Sequence, residues 1–168
     1  RPEISLSSAF SILALVAIFS SAVFMRIFPV KYGFYLNEFD PYYNYRAVSY
    51  IVENIQANGV QGLLSYFSWI DTHTWYPEGR QVASSSQTGL HLTGAALYLL
   101  FTSVFGSTIE LYDFLVLLPV LLGALTTIVI FLLVRVVAGS KAGLFSALII
   151  AYAPAIIARG NLGWFKSE

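Results

Sequence analysis

Cysteine is absent from this chain, which excludes disulfides and thiolate metal sites. Charge is scarce too. Charged residues make up 11% of the sequence, and 9 Lys and Arg balance 9 Asp and Glu. A chain with no net charge has no electrostatic footprint for a polyanion, so nucleic acid is excluded as a partner. No Asn-X-Ser/Thr triplet occurs, so the chain offers no N-glycosylation acceptor of its own.

What is abundant is apolar. Hydrophobic residues are 57% of the 168, and long uncharged runs explain the excess. Ile4 to Met25 carries no charge, nor does Phe114 to Val134. Each meets the roughly 20 residues needed to cross a bilayer. Ala142 to Ala158 is shorter and reaches across with its flanks. The chain therefore reads as an all-α integral membrane protein with about three transmembrane helices. A long external loop with interfacial or re-entrant helices completes it. Arg26-Ile-Phe-Pro-Val-Lys31 follows the first run without a small-residue cleavage pattern, which predicts a retained signal-anchor helix.

The boundaries follow. Residues 1–28 hold the first transmembrane helix, from about Ser5 to Phe28. Residues 29–109 form the external loop. Residues 110–158 form a helical hairpin, Asp113 to Val136 and Ala142 to Ala158, turned at Gly139 and Ser140. Residues 159–168 begin a second external loop. Arg135 and Lys141 on one side are balanced by Arg26 and Lys31 on the other, so the positive-inside rule selects no orientation.

Inside the first loop, Asp40-Pro41 looks like a helix start, with Asp40 as N-cap and Pro41 at the first helical position. Tyr45, Val48, Val52 and Ile55 then keep helical spacing up to a stop at Gly59, which predicts an amphipathic helix lying on the membrane surface. Leu63 to Ile70 suggests a second interfacial piece, with Tyr66, Phe67 and Trp69 at headgroup level. Trp75-Tyr-Pro-Glu-Gly-Arg80 is a turn, where Pro77 sets one φ and Gly79 permits an unusual one. Thr88 to Phe105 is almost wholly apolar from Leu92 on, yet holds His91, Thr93, Gly89 and Gly94. If the acidic loop and the segment from Arg159 share one face of the membrane, a full crossing here gives the wrong parity. A re-entrant or surface-lying helix is expected instead.

The chemistry-bearing candidates are few. Glu38-Phe-Asp40 sets two acids two positions apart beside a membrane helix, where a bare carboxylate needs water, a cation or a partner. That spacing suits a hard divalent ion, and it equally suits a plain helix cap at Asp40. Arg159-Gly-Asn-Leu-Gly163-Trp-Phe-Lys166-Ser-Glu168 leaves its helix polar and glycine-rich, as a binding segment or as an interfacial flank. Asp71, His73 and His91 have no third ligand at a convincing spacing and read as ordinary loop polarity.

Together these residues resemble the catalytic subunit of oligosaccharyltransferase in its archaeal form, a multi-span glycosyltransferase of the GT-C type. Glu38-Phe-Asp40-Pro-Tyr-Tyr-Asn-Tyr-Arg46 is similar to that family's first-loop acidic motif. Trp75-Tyr-Pro-Glu-Gly-Arg80 matches its Trp-Tyr-Pro-x-Gly-Arg stretch. Arg159, Gly163 and Glu168 match its second acidic motif, in which Lys166 stands where an Asp is usual.

The resemblance implies transfer of an oligosaccharide from a polyprenyl (dolichyl) phosphate or pyrophosphate to Asn in Asn-X-Ser/Thr. It implies Asp40 as metal ligand and amide activator, Glu38 as its catalytic support, Glu168 as a second metal ligand, and Arg159 against the donor phosphate. The implied cofactor is a divalent cation, Mn²⁺ or Mg²⁺. The implied partners are lipid-linked oligosaccharide, acceptor polypeptide, membrane lipid, the rest of the enzyme chain and accessory subunits. The expected location is a cell membrane with an external site for an archaeal chain, or the endoplasmic reticulum membrane for a eukaryotic one. The family's further spans, later ligand Glu and soluble Trp-Trp-Asp-x-Gly domain do not occur in these residues, which implies an N-terminal portion that is inactive alone. A protein O-mannosyltransferase, a non-catalytic membrane subunit and a transporter fragment are the alternatives.

Overall fold

The structure, a computed structural model, describes residues 6–167, with side chains from Ser8 onward. Among the described residues it is helical apart from one short hairpin, and three helices are long and apolar enough to cross a membrane. This is an all-α integral membrane protein, as the hydrophobic runs predict. The chain divides into two compact units. One comprises Arg1–Tyr35 and Val116–Trp164; the other comprises Leu36–Leu115 and Phe165–Glu168.

In the first unit, α1 runs Leu6–Ile27, 22 residues, or roughly 33 Å at 1.5 Å per residue. Phe10, Leu13 and Val16 lie exposed along it, which is costly in water and natural against lipid. Its inner side packs Ala22 with Ala124 and Ala151, with Ile18, Phe19 and Val23 around them. Small residues at such a contact let helix backbones approach closely.

Helix α6 is assigned continuously over Leu111–Tyr152 but is broken at Gly139, where φ is 83° and ψ 172°. A Cβ on Gly143 would lie 2.9 Å from the carbonyl oxygen of Phe131. In a straight helix those two residues would stand about 18 Å apart, so the chain reverses at Gly139, where the sequence puts the hairpin turn. The second arm is shorter than expected. It ends at Tyr152, because Ala153 precedes a proline and takes extended ψ 118° instead of helical geometry. A short α7, Pro154–Arg159, follows.

The second unit is built on α2, Phe39–Asn58, which packs against α3, Val60–Tyr66, and α5, Thr88–Phe105. Pro41, Asn44, Ala47, Val48, Ile51 and Val52 form its buried face, a helical stripe of the expected period. That stripe is covered by protein. Tyr66 is buried too, not set at headgroup level, because α3 folds back on α2 just after Gly59.

Two strands, β1 (Ile70–Asp71) and β2 (Arg80–Gln81), pair antiparallel around the Trp75–Gly79 turn, with Asp71 opposite Arg80. Gly79 has φ 79°, as that turn requires. A one-turn α4, Val82–Ser85, leads into α5.

Candidate active site

The two acids of the first loop stand at the head of α2, but not in the roles their spacing suggests. The N-cap position belongs to Glu38, and its side chain makes no capping hydrogen bond. Asp40 sits inside the first turn, where a negative charge is favoured by the helix dipole. The expectation that Asp40 caps the helix is therefore corrected. Glu38 has φ 67° and ψ −177°, a region otherwise almost confined to glycine and costing about 1–3 kcal/mol. The strain turns the chain sharply before α2.

A third residue joins them. The Lys166 ammonium donates to Glu38 Oε2 at 3.0 Å and to Asp40 Oδ2 at 3.4 Å. The lysine side chain is 8% exposed, against 52% for Glu38 and 62% for Asp40. The C-terminal segment thus lies directly on the acidic motif. Glu168, the other expected metal ligand, lies outside the described residues. Arg159 belongs to the first unit, where its guanidinium lies over the Trp164 ring, 5.7 Å from the centroid.

Lys166 is fixed by what precedes it. The Phe165 ring is buried and meets α5 at Gly94, where an added Cβ would come within 2.8 Å of it. The Phe165 carbonyl accepts from Asn44 Nδ2 at 3.0 Å. That bond fixes the Asn44 amide, whose Oδ1 must then accept from His91 Nε2 at 2.9 Å. His91 Nδ1 is left to accept from the Tyr66 hydroxyl at 2.7 Å, which defines a neutral ring. Burial pushes the Tyr66 phenol above its ordinary pKa, so it keeps its proton and donates. Asn44 lies four residues after Asp40, on the same helix face. One buried chain of hydrogen bonds therefore ties α3, α5 and α2 to the peptide beside Lys166.

A second support lies further along α2. Arg46 donates to both carboxylate oxygens of Asp71, at 3.1 and 2.9 Å. Asp71 is 1% exposed and also accepts from the His73 backbone N–H at 3.1 Å. Such forked pairing is strong and directional. It fastens the β1–β2 hairpin to the acid-motif helix.

Asp71 and His91 are thus structural centres, and reading them as ordinary loop polarity is corrected. His73 alone keeps its place in the loop. Asn44 and Tyr66 were not singled out by function at all. Their signals were an amide one helical turn past an acid and a phenol in a buried stripe, and both need the tertiary contacts to be read.

Arg80, opposite Asp71, lies over the rings of Tyr43 and Trp75, 4.7 and 5.0 Å from the centroids. Its Nη2 donates to the Ser85 carbonyl and its Nε to Ser85 Oγ at 2.9 Å. Asp40, Tyr43, Asn44, Arg80, Ser85, Ser86 and Gln87 together line a pocket of about 270 Å³. Its walls are hydrogen-bonding groups of both signs, suited to a polar substrate segment. Among the described residues, no group of three His, Asp or Glu stands close enough to share a metal ion.

In the first unit, Arg26 organises the start of the second motif. It is fully buried, not an interfacial anchor. Its Nη1 donates to the carbonyls of Ala22 and Ala151 at 3.1 and 3.3 Å. The side chain runs past Gly123 and Gly160, where added Cβ atoms would fall 2.8 and 3.1 Å from Nε. The Leu162 N–H donates to the Arg26 carbonyl at 3.1 Å, and that of Gly163 to the Val116 carbonyl at 2.9 Å.

Residues 8–168 match the family model described as oligosaccharyl transferase STT3, N-terminal. The chain belongs to the STT3 family. The STT3 subunit of dolichyl-diphosphooligosaccharide–protein glycosyltransferase from Saccharomyces cerevisiae is similar to it, 31% identical over 158 residues, covering 94% of this chain and 21% of that protein. The STT3B subunit of Oryza sativa is 32% identical over 156 residues, covering 92% and 20%. The STT3 subunit of Dictyostelium discoideum is 31% identical over 158 residues, covering 94% and 21%. The chain thus spans about a fifth of the length of the STT3 relatives it matches. It carries the region holding the first acidic motif.

Proposed function

We propose that the whole protein transfers an oligosaccharide from a dolichyl-type phosphate or pyrophosphate lipid to the Asn side chain of Asn-X-Ser/Thr in polypeptides. The relatives named for that transfer support this reading. The observation that carries it is the acid pair at the head of α2, open to solvent at Asp40 and bordered by the polar pocket. The reaction would take place in the endoplasmic reticulum membrane of a eukaryote or the cell membrane of an archaeon.

The chemical difficulty is the acceptor. An amide nitrogen shares its lone pair with the carbonyl and is a poor nucleophile. A carboxylate that accepts an amide N–H pulls electron density toward nitrogen and turns the lone pair out of conjugation. It also stands ready for the proton that must leave as nitrogen bonds the anomeric carbon and the sugar–phosphate bond breaks. We assign this role to Asp40, with Glu38 supporting it through the shared lysine. General-base contributions of this kind are about 10²–10⁴-fold. Arg159 is assigned to the donor phosphate, which a guanidinium fits by forked hydrogen bonds. Membrane lipid, the rest of the enzyme and accessory subunits complete the set of partners.

The divalent ion implied by the resemblance has no ready seat among the described residues. Its expected ligand Asp40 shares Oδ2 with the Lys166 ammonium, 3.4 Å away, and a protonated lysine ligates nothing.

The test uses purified full-length protein, lipid-linked oligosaccharide and two peptides, one with Asn-X-Ser/Thr and one with Gln in place of Asn. Transfer to the first alone is expected. Equal labelling of both, or of neither, contradicts the proposal.

A further inference from the structure

Two carboxylates two residues apart form a hard-ion site only while their charge stays unanswered. Here it is answered from within the chain. The Lys166 ammonium lies within 3.4 Å of both acids while its side chain is only 8% exposed. A mobile surface lysine would gain little from such a contact. This one is held by the seated Phe165 ring and by the bond from Asn44 to the Phe165 carbonyl. That bond is backed by His91 and Tyr66 in turn. The lysine is therefore delivered to the acids by the fold, not recruited by them.

We propose that Lys166 is a tethered cation of the acid pair, occupying the place a divalent ion would otherwise take. The consequences are electrostatic. The ammonium leaves the pair a net charge of −1 instead of −2. A divalent ion approaching the same oxygens must displace the lysine or bind beside a like charge. Divalent affinity at this site is accordingly weak. Lys166 acts as a positioning residue: it holds the Glu38 and Asp40 carboxylates in place without an ion from solution. The inference rests on reading the acid pair as the reaction site, but its test needs no transfer, so the two readings fail separately.

The test is Mn²⁺ titration of the full-length protein in lipid nanodiscs, followed by the loss of the free-ion electron paramagnetic resonance signal. Wild type is compared with Asp40→Asn, Lys166→Asp and Lys166→Met. Only Mn²⁺ lost on replacing Asp40 in the same background counts as bound at this site. Wild type is expected to show no such site below millimolar Mn²⁺. Lys166→Asp is expected to gain one, at least tenfold tighter and removed by adding Asp40→Asn. Lys166→Met, which removes the charge without supplying a ligand, should fall between them. An Asp40-dependent Mn²⁺ site in wild type that is as tight as in Lys166→Asp overturns the proposal. So does a site that Lys166→Met weakens. Should Lys166→Asp fail to fold, the wild type and Lys166→Met comparison decides alone.

Discussion

At the scale of single residues, Glu38 shows how a site is held under strain. Its backbone occupies a conformation that glycine adopts freely and other residues at a cost of about 1–3 kcal/mol. Its ion pair to Lys166 involves a half-exposed carboxylate and returns little. The residue is therefore kept for its carboxylate and not for the fold. Glu38→Gly is expected to leave the melting temperature unchanged or a few degrees higher, since strain relief outweighs the added chain entropy of glycine. Transfer by the full-length protein should fall about tenfold. A clear drop in melting temperature would refute the strain argument. The acids themselves were legible from their scarcity and spacing. That Glu38, not Asp40, holds the N-cap position was not legible, because sequence preference at a cap is a weak prior beside a backbone turned by neighbouring segments.

At the scale of elements, the second unit depends on how closely α3 approaches α2. A Cβ on Gly62 would lie 1.9 Å from the Asn54 carbonyl oxygen and 2.9 Å from the Ile55 nitrogen. Backbone cannot yield to that. Gly62→Ala should separate α3 from α2 and pull the Tyr66 hydroxyl from His91, which leaves buried polar groups unpaired at about 1–3 kcal/mol each. A fall in thermal stability by several degrees is expected, and an unchanged melting curve would contradict this packing. Long uncharged runs gave α1 and the first arm of α6, which face lipid along their length, and helical spacing gave α2, which buries a stripe. The break after Tyr152 was also written in the chain, as a proline two residues on, but an apolar run to Ala158 concealed it. The β1–β2 hairpin showed in the sequence only as its Trp75–Gly79 turn: its strands are two residues each and are fastened by the Arg46–Asp71 pair from a distant helix.

At the scale of the whole molecule, the meeting of Lys166 with Glu38 and Asp40 fixes a parity. The two segments are then expected to share one face of the membrane, with an even number of crossings between them. The two arms of α6 are expected to supply two, the short second arm reaching across only with its flanks. By that parity helix α5, whose buried His91 is bonded to polar partners from α2 and α3, is expected not to cross, although its 18 residues are apolar enough to do so. Single cysteines at Gly89 and Gly106, the two ends of α5, should both react with an impermeant thiol reagent from the same side; labelling from opposite sides would contradict this topology. The sequence already marked Lys166 as the departure in the second motif, while its contact with Glu38 and Asp40 became visible only when the chain was folded. The central claim is that Asp40 activates the acceptor amide. Its most direct test is initial-rate transfer from lipid-linked oligosaccharide to an Asn-X-Ser/Thr peptide by full-length Asp40→Asn protein, with its melting temperature measured alongside. The account predicts at least a 100-fold loss of rate with stability retained; wild-type turnover by the variant would contradict it.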